Sequence, residues 1–478
     1  MRGRLIAWLL PAVLLVGCSA GLYFWLTSDA GWDLAERLPG GDGRPREGAA
    51  AGGGKIAGRL QTFAAADSVK IHPAPTAAES WPAFRGADRD GIYKGDVRLA
   101  RQWPAGGPKA LWSAEVGEGF AGAAVFAGRV YVVDYDRTGG ADVIRCLSLE
   151  DGADLWKYSY PVKIKRNHGM SRTVPAVTDK YVVAMGPLCH VTCLDSATGE
   201  FKWMINLAGE YGSTPPLWYT GQCPLIEDGR AIIAPAGKDV LMMAVDCETG
   251  EVVWKCPNPD GWVMTHSSIT PVTFAEKRFY VYCGGDDVKG GVVAASAQDG
   301  QVLWRHDVWK VRTNVPAPVR VGEDRLFFSA GYGQTEKGCM MLRLVADGGE
   351  IRTETLFVHT AEVFSSMQQT PVFYQGYLYG VRMLDKQLVC MDVEGRIVWA
   401  SGPAQFGHGP YMIADGMILA MDDDGVLRLA EATAAGYRQL AEARVLEGHE
   451  AWAPMALADG KLIVRDTTRM VCLDVAAK

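Results

Sequence analysis

The segments CLDSATGEFKW (Cys193–Trp203) and AVDCETGEVVW (Ala244–Trp254) are two copies of one pattern, an apolar run, an acidic or polar turn, and a glycine four residues before a tryptophan. Working outward, the same pattern recurs as CLSLEDGADLW (146–156), AASAQDGQVLW (294–304) and CMDVEGRIVW (390–399). The spacing is about 40 to 50 residues, which marks an array of identical supersecondary units. A tryptophan that returns once per unit belongs to the architecture, so Trp112, Trp156, Trp203, Trp254, Trp304 and Trp399 are expected to pack unit against unit.

One unit, from Ser171 to Leu207, reads as four strands: SRTVPAVTD, KYVVAM, HVTCLDS and EFKWMINL, separated by Gly, Pro and Ala-Thr-Gly turns. Proline cannot donate to a sheet ladder and is confined to sheet edges. Pro175, Pro224, Pro271, Pro318, Pro371, Pro410 and Pro454 therefore mark a series of innermost strands facing a central channel. Four-stranded antiparallel sheets repeated radially make a β-propeller. Two units lack the tryptophan, with Arg352 and Leu440 at its place, but keep the strand pattern. The last unit supplies three strands after Ala451, and KALWSAEVG (109–117), with Trp112, supplies the fourth. The expectation is an eight-bladed ring over 109–478, about 46 residues per blade, closed by an N-terminal strand that joins the C-terminal blade; seven blades is the competing count.

Ahead of the ring, 81–108 reads as a leader and 29–80 as a flexible linker rich in Gly, Ala and Pro. About 50 residues of such coil reach roughly 35–45 Å. Residues 1–28 hold Arg2 and Arg4 followed by an uncharged run from Leu5 to Leu26. That run is long enough to span a bilayer as a helix, with the arginines on the cytoplasmic side. Leu15-Val16-Gly17-Cys18 also resembles a lipoprotein signal, making Cys18 a lipidation candidate. The apolar run continues past Cys18, which favours an uncleaved anchor. Either way the ring is expected on the periplasmic or extracytoplasmic side of a membrane. The net charge of −7 and pI near 5.7 argue against nucleic acid as a partner.

Eleven cysteines in an exported chain invite a disulfide framework. The repeat argues otherwise: Cys146, Cys193, Cys390 and Cys472 occupy the same third-strand position in four blades and are expected to pack as small buried hydrophobes.

These repeats resemble the pyrroloquinoline-quinone (PQQ) repeat propellers, which include quinoprotein alcohol dehydrogenases and BamB-like outer-membrane assembly proteins. The leader WPAFRGADRDG (81–91) and GMSRTVPAV (169–177) are similar to a BamB-like subgroup with an anchored N-terminus. The resemblance implies a propeller, and either a quinone with calcium or a non-catalytic scaffold. Dehydrogenases of the group carry adjacent cysteines over the quinone, and no two cysteines here are neighbours. A C-x-x-C-H haem site is also missing, as is any recognisable pattern of calcium ligands. These departures lean away from an enzyme and from a bound cofactor.

Other motifs fail as chemistry. Asp422-Asp423-Asp424-Gly425 lacks the alternation of a calcium loop and falls where a hairpin turn belongs. His449-Glu450 has Ala453 where a zinc helix needs its second histidine. What remains lies just ahead of the inner-strand prolines: Arg172, Gln222, His266, Asn314, Gln369, His408 and Trp452, with His168 and Arg312 further out. These should converge on one mouth of the channel. They either grip a carboxylate, sugar or protein partner there, or line a wet channel and satisfy loop backbones. The favoured function is a membrane-tethered propeller that binds a protein partner or extended ligand. A quinone-dependent oxidoreductase and a polysaccharide-binding module are the alternatives.

Overall fold

The computed structural model describes residues 56–64, 76, 80–333 and 336–477; the segment 1–28 with Cys18, and most of 29–80, lie outside the described residues. Eight separate antiparallel sheets form the blades of a propeller. Seven are meanders of consecutive strands over 123–161, 176–206, 225–257, 270–306, 319–359, 372–405 and 411–444. The eighth combines Ala456–Ala458, Lys461–Arg465 and Arg469–Asp474 with Lys109–Glu115 on its outer edge, in a register from Lys109↔Asp474 to Glu115↔Arg469. The ring is thus closed by an early strand pairing with a late one.

One strand lies where a linker was expected. Arg59–Thr62 pairs antiparallel with Asp154–Pro161, with Leu60 opposite Tyr158, and gives the first blade a fifth strand. Four residues with a single large apolar side chain carry too little periodicity to stand out from the coil around them. The stretch 29–80 is therefore not linker throughout.

The Gly-x-x-x-Trp pattern is a contact between successive blades. Each such glycine adopts a left-handed conformation, φ 77° at Gly199 and 76° at Gly250, which side chains other than glycine avoid. The tryptophan of the preceding blade lies over it. A Cβ on Gly152 would sit 2.6 Å from Trp112, one on Gly199 2.6 Å from Trp156, and one on Gly250 2.7 Å from Trp203. The indole also reaches forward: Nε1 of Trp112, Trp203, Trp254 and Trp399 donates to the carbonyls of Leu149, Cys247, Ala297 and Thr433 in the next blade. In the fifth blade, which lacks the tryptophan, the stacked Phe357 and His359 (4.5 Å between ring centres) cover Gly395 instead. The ten described cysteines are buried and unbonded.

The leader crosses the channel. Trp81 exchanges both backbone hydrogen bonds with Val125 of the first blade, and Pro82 accepts from Val177 of the second. Gly91 and Tyr93 bond to Ile413 of the seventh. Between them Arg85, held at φ 68°, donates only to carbonyls: those of Arg89 and Asp90, and those of Thr370 (2.6 Å) and Pro371 (2.9 Å) in the sixth blade. Arg89 donates to the Pro224 carbonyl of the third blade. The segment 81–93 therefore floors one end of the channel. Arg85→Ala is expected to destabilise the fold by about 2–3 kcal/mol, because hydrogen bonds from a charged donor are lost and buried carbonyls are left unmet. Urea denaturation checks this, and a loss below about 0.5 kcal/mol, the scale of ordinary surface substitutions, would show that the floor is not held by this side chain.

Candidate functional site

The opposite end is built from loops linking the outer strand of one blade to the inner strand of the next, together with the hairpins between second and third strands. Loops on a rigid scaffold are where binding residues concentrate. Strained backbone occurs here, as it does in the hairpins of the opposite face. His168 (φ 49°), Trp218 (φ 66°), Tyr219 (φ 72°) and Glu450 (φ 57°) all hold left-handed conformations, at a cost on the order of 1–3 kcal/mol each.

One half of the mouth is an aromatic group centred on Trp452. Phe120 stacks on it at 5.2 Å, and His168 and His408 flank it at 5.4 Å each. Its Nε1 donates to Asp423 Oδ1 at 2.7 Å, the same oxygen that accepts from the His408 backbone. The acidic turn 422–425 is thus a hairpin turn, as its sequence indicates, and also the anchor of this tryptophan. Burial lowers the His408 pKa, and the ring is held toward its neutral form.

The other half surrounds Arg172. Its guanidinium lies over the Phe120 ring at 5.3 Å, and Nη2 donates to the His168 carbonyl at 2.6 Å. Nη1 is buried and has no hydrogen-bond partner among the described residues. Burial lowers the Arg172 pKa to about 10, so it stays charged at neutral pH. Facing it, Trp218 stacks against His266 (6.2 Å) and Tyr332 (5.2 Å), and Tyr332 donates to Gln368 Oε1. His266 is lowered to about 3, by burial first and then by the Arg172 charge. Its Nε2 and the Gln368 Nε2 are also buried without partners.

The residues expected at the mouth from sequence fall into two groups. Arg172, His168, His266, His408 and Trp452 form the two halves just described, and Arg312 is exposed on the rim beside Gly333. Gln222, fully buried, bonds both ways to the Ala234 backbone. Asn314 accepts from Trp309, and Gln369 donates to the Trp452 carbonyl. These three hold loops in place. Phe120, Trp218, Tyr219, Tyr332 and Gln368 were not anticipated. The first inner strand, Ala123–Phe126, has no proline to flag Phe120, and Tyr332 comes from a hairpin rather than an inter-blade loop. The paired aromatics in PPLWYTG (215–221) were the available signal for Trp218 and Tyr219.

Residues 140–401, more than half of the chain, match the family described as outer membrane protein assembly factor BamB. The chain belongs to that family. No curated protein matches it. Among solved structures, BamB from Moraxella catarrhalis superposes with TM-score 0.53 at 15% identity, over 76% of this chain and 97% of that one. Quinohemoprotein alcohol dehydrogenase from Comamonas testosteroni gives 0.58 at 14%, over 84% and 81%. A europium-containing methanol dehydrogenase gives 0.55 at 13%, over 83% and 90%. Identities this low show a shared fold and nothing of activity.

No group of three or more His, Cys, Asp or Glu side chains could hold a metal ion among the described residues, whereas calcium takes a cage of six to eight oxygens. The nearest carboxylate of the aromatic half, Asp423, is engaged by Trp452, His408 and Lys386. A groove of about 710 Å³ lies elsewhere, on the floor side between the fourth and fifth blades, lined by Thr273, Phe274, Arg320, Asp324 and Arg325 among others. Size alone would favour it. The mouth takes precedence because aromatic walls and several unpartnered polar atoms meet there.

Proposed function

We propose that the protein is a membrane-tethered, extracytoplasmic propeller that binds a protein partner at the mouth face without catalysing a reaction. The observation that carries this reading is the mouth itself, where Trp452, Phe120, Trp218 and Arg172 converge on strained loops over a floored channel. Family membership supports a role in outer-membrane protein assembly. The uncharged run Leu5–Leu26 behind Arg2 and Arg4 supports the tether. The quinone-dependent reading is weaker, because calcium takes oxygen ligands and the mouth presents the imidazoles of His266 and His408.

A photo-cross-linker placed at Arg312, exposed on the mouth rim, is expected to capture a protein partner in native membranes. The same probe at Glu323, exposed on the floor side, is expected to capture none. Equal capture from both faces removes the mouth from the proposal. Alcohol-dependent dye reduction by the purified protein with PQQ and calcium would replace scaffold with enzyme.

A further inference from the structure

We propose that the mouth receives a polypeptide through a carboxylate group, with Arg172 as the cation that meets it and the surrounding rings holding the adjoining apolar side chain. The inference rests on the binding reading above and adds the chemistry of the ligand.

Three polar groups point to it. Arg172 Nη1, Gln368 Nε2 and His266 Nε2 are all shut off from solvent and have no partner, and His266 as a whole is only 7% exposed. Each side chain is nevertheless fixed by its other atoms: Arg172 through Nη2 to His168, Gln368 through Oε1 to Tyr332, and His266 by stacking on Trp218. A buried donor without an acceptor costs free energy, and the two donors of Arg172 and Gln368 imply an acceptor supplied from outside. A carboxylate offers two oxygens with four lone-pair sites. It can take the Arg172 and Gln368 donors together.

Charge agrees. The chain as a whole carries −7, yet the loops that frame this half of the mouth carry Lys163, Lys165, Arg172, Lys310 and Arg312. Beneath them the floor contributes Arg85 and Arg89, both fixed to backbone carbonyls, and Arg89 Nη2 has no partner. Acidic side chains are fewer: Glu118 is paired with Arg166, Asp307 is exposed on the loop of Lys310 and Arg312, Glu450 sits beside His168 and acts on Arg172, and Asp423 lies beneath Trp452. An anion is therefore directed to Arg172.

A polypeptide fits better than an acidic sugar because the same face exposes aliphatic side chains. Val263 and Val308 are 42% exposed, Leu384 66% and Val288 73%, all on loops or hairpins of the mouth side. Such groups would meet the flanking residues of a protein chain.

The test uses the full chain purified in detergent and three synthetic peptides. One has a free terminal carboxylate and no acidic side chain, one is amidated at its end with an internal glutamate, and one is amidated and neutral. Calorimetry and tryptophan fluorescence are expected to register binding of at least one carboxylate peptide, and which one binds identifies the source of the group. The neutral peptide is expected not to bind. Arg172→Gln should weaken binding about 10-fold or more, the scale of one charged hydrogen bond. Gln368→Glu keeps the acceptor for Tyr332 and should lose affinity by repulsion, with an unchanged circular-dichroism spectrum excluding misfolding. Binding of the neutral peptide as well as the acidic ones, unchanged affinity in Arg172→Gln, or no binding by any peptide would each overturn the proposal. If the Arg312 cross-link persists through such a failure, the mouth still binds a protein and only the carboxylate is wrong; if that cross-link is absent too, both readings fall.

Discussion

Trp156→Ala is expected to lower the stability of the ring by about 3–5 kcal/mol, the range for removing a large buried aromatic side chain. Trp156 is 1% exposed and covers Gly199 of the second blade, with Leu60 of the added fifth strand beside it. Its Nε1 has no hydrogen-bond partner among the described residues, unlike that of Trp112, Trp203, Trp254 or Trp399. The loss is therefore one of packing, and Trp156→Phe should recover a large part of it. Gly199→Ala attacks the same contact from the other side: it places a Cβ 2.6 Å from the indole at φ 77°. The two substitutions in one chain should be clearly non-additive, since each removes the reason for the other's cost. Urea midpoints for the three variants decide the matter. A cost under about 1 kcal/mol for Trp156→Ala, which is the average for any point mutation, would deny the indole its structural role.

Asp142→Asn is expected to stabilise the protein at alkaline pH. Asp142 lies 1% exposed between the first and second blades, opposite Tyr160 in the ladder, and neither carboxylate oxygen has a hydrogen bond of normal geometry. Burial raises its pKa from 3.8 to about 7, with the nearby Tyr160 phenol tempering the rise. Its surroundings include His190, only 3% exposed, whose ring centre is 5.7 Å from that of Tyr160. Burial lowers that histidine to about 4, so it supplies no counter-charge at neutral pH. The folded state thus keeps the Asp142 proton between pH 4 and 7, where the unfolded chain has released it. Stability from this group is complete below the unfolded pKa and is lost as pH rises through 7. The shift of about 3 units corresponds to ~4 kcal/mol across the whole range. An asparagine, unable to ionise, avoids that loss. The advantage of Asp142→Asn over the native chain should widen by about 2–3 kcal/mol between pH 5 and pH 8, read by urea denaturation at both. Parallel pH profiles for the two proteins would contradict an Asp142 that keeps its proton in the folded state at pH 5.

The fold was legible because its signal is repeated. Each blade needs a glycine where an indole settles and an edge strand that tolerates proline, and both leave residues at fixed spacing. Arg59–Thr62 was missed because it occurs once, with one apolar side chain. The mouth was legible in position and not in role. Lying ahead of an inner-strand proline places a residue on the right loop, but does not say which way its side chain turns: Arg172 faces the opening while Gln222 turns back to Ala234. Phe120, Tyr332 and Gln368 become neighbours of Arg172 only when blades one, two and five are brought around the ring. Asp142 and His190 gave no signal, since their burial is imposed by the adjoining blade.

The pairing of Lys109–Glu115 with Arg469–Asp474 orders events in time as well as space. A chain made from its amino end delivers the first partner early and the second only after nearly every other residue has been added. Until then the waiting strand presents bare amide groups to any passing polypeptide. Assembly of this molecule is consequently a race between completion of its own synthesis and capture by a stranger, and whatever protects the growing chain must shield that one segment longest.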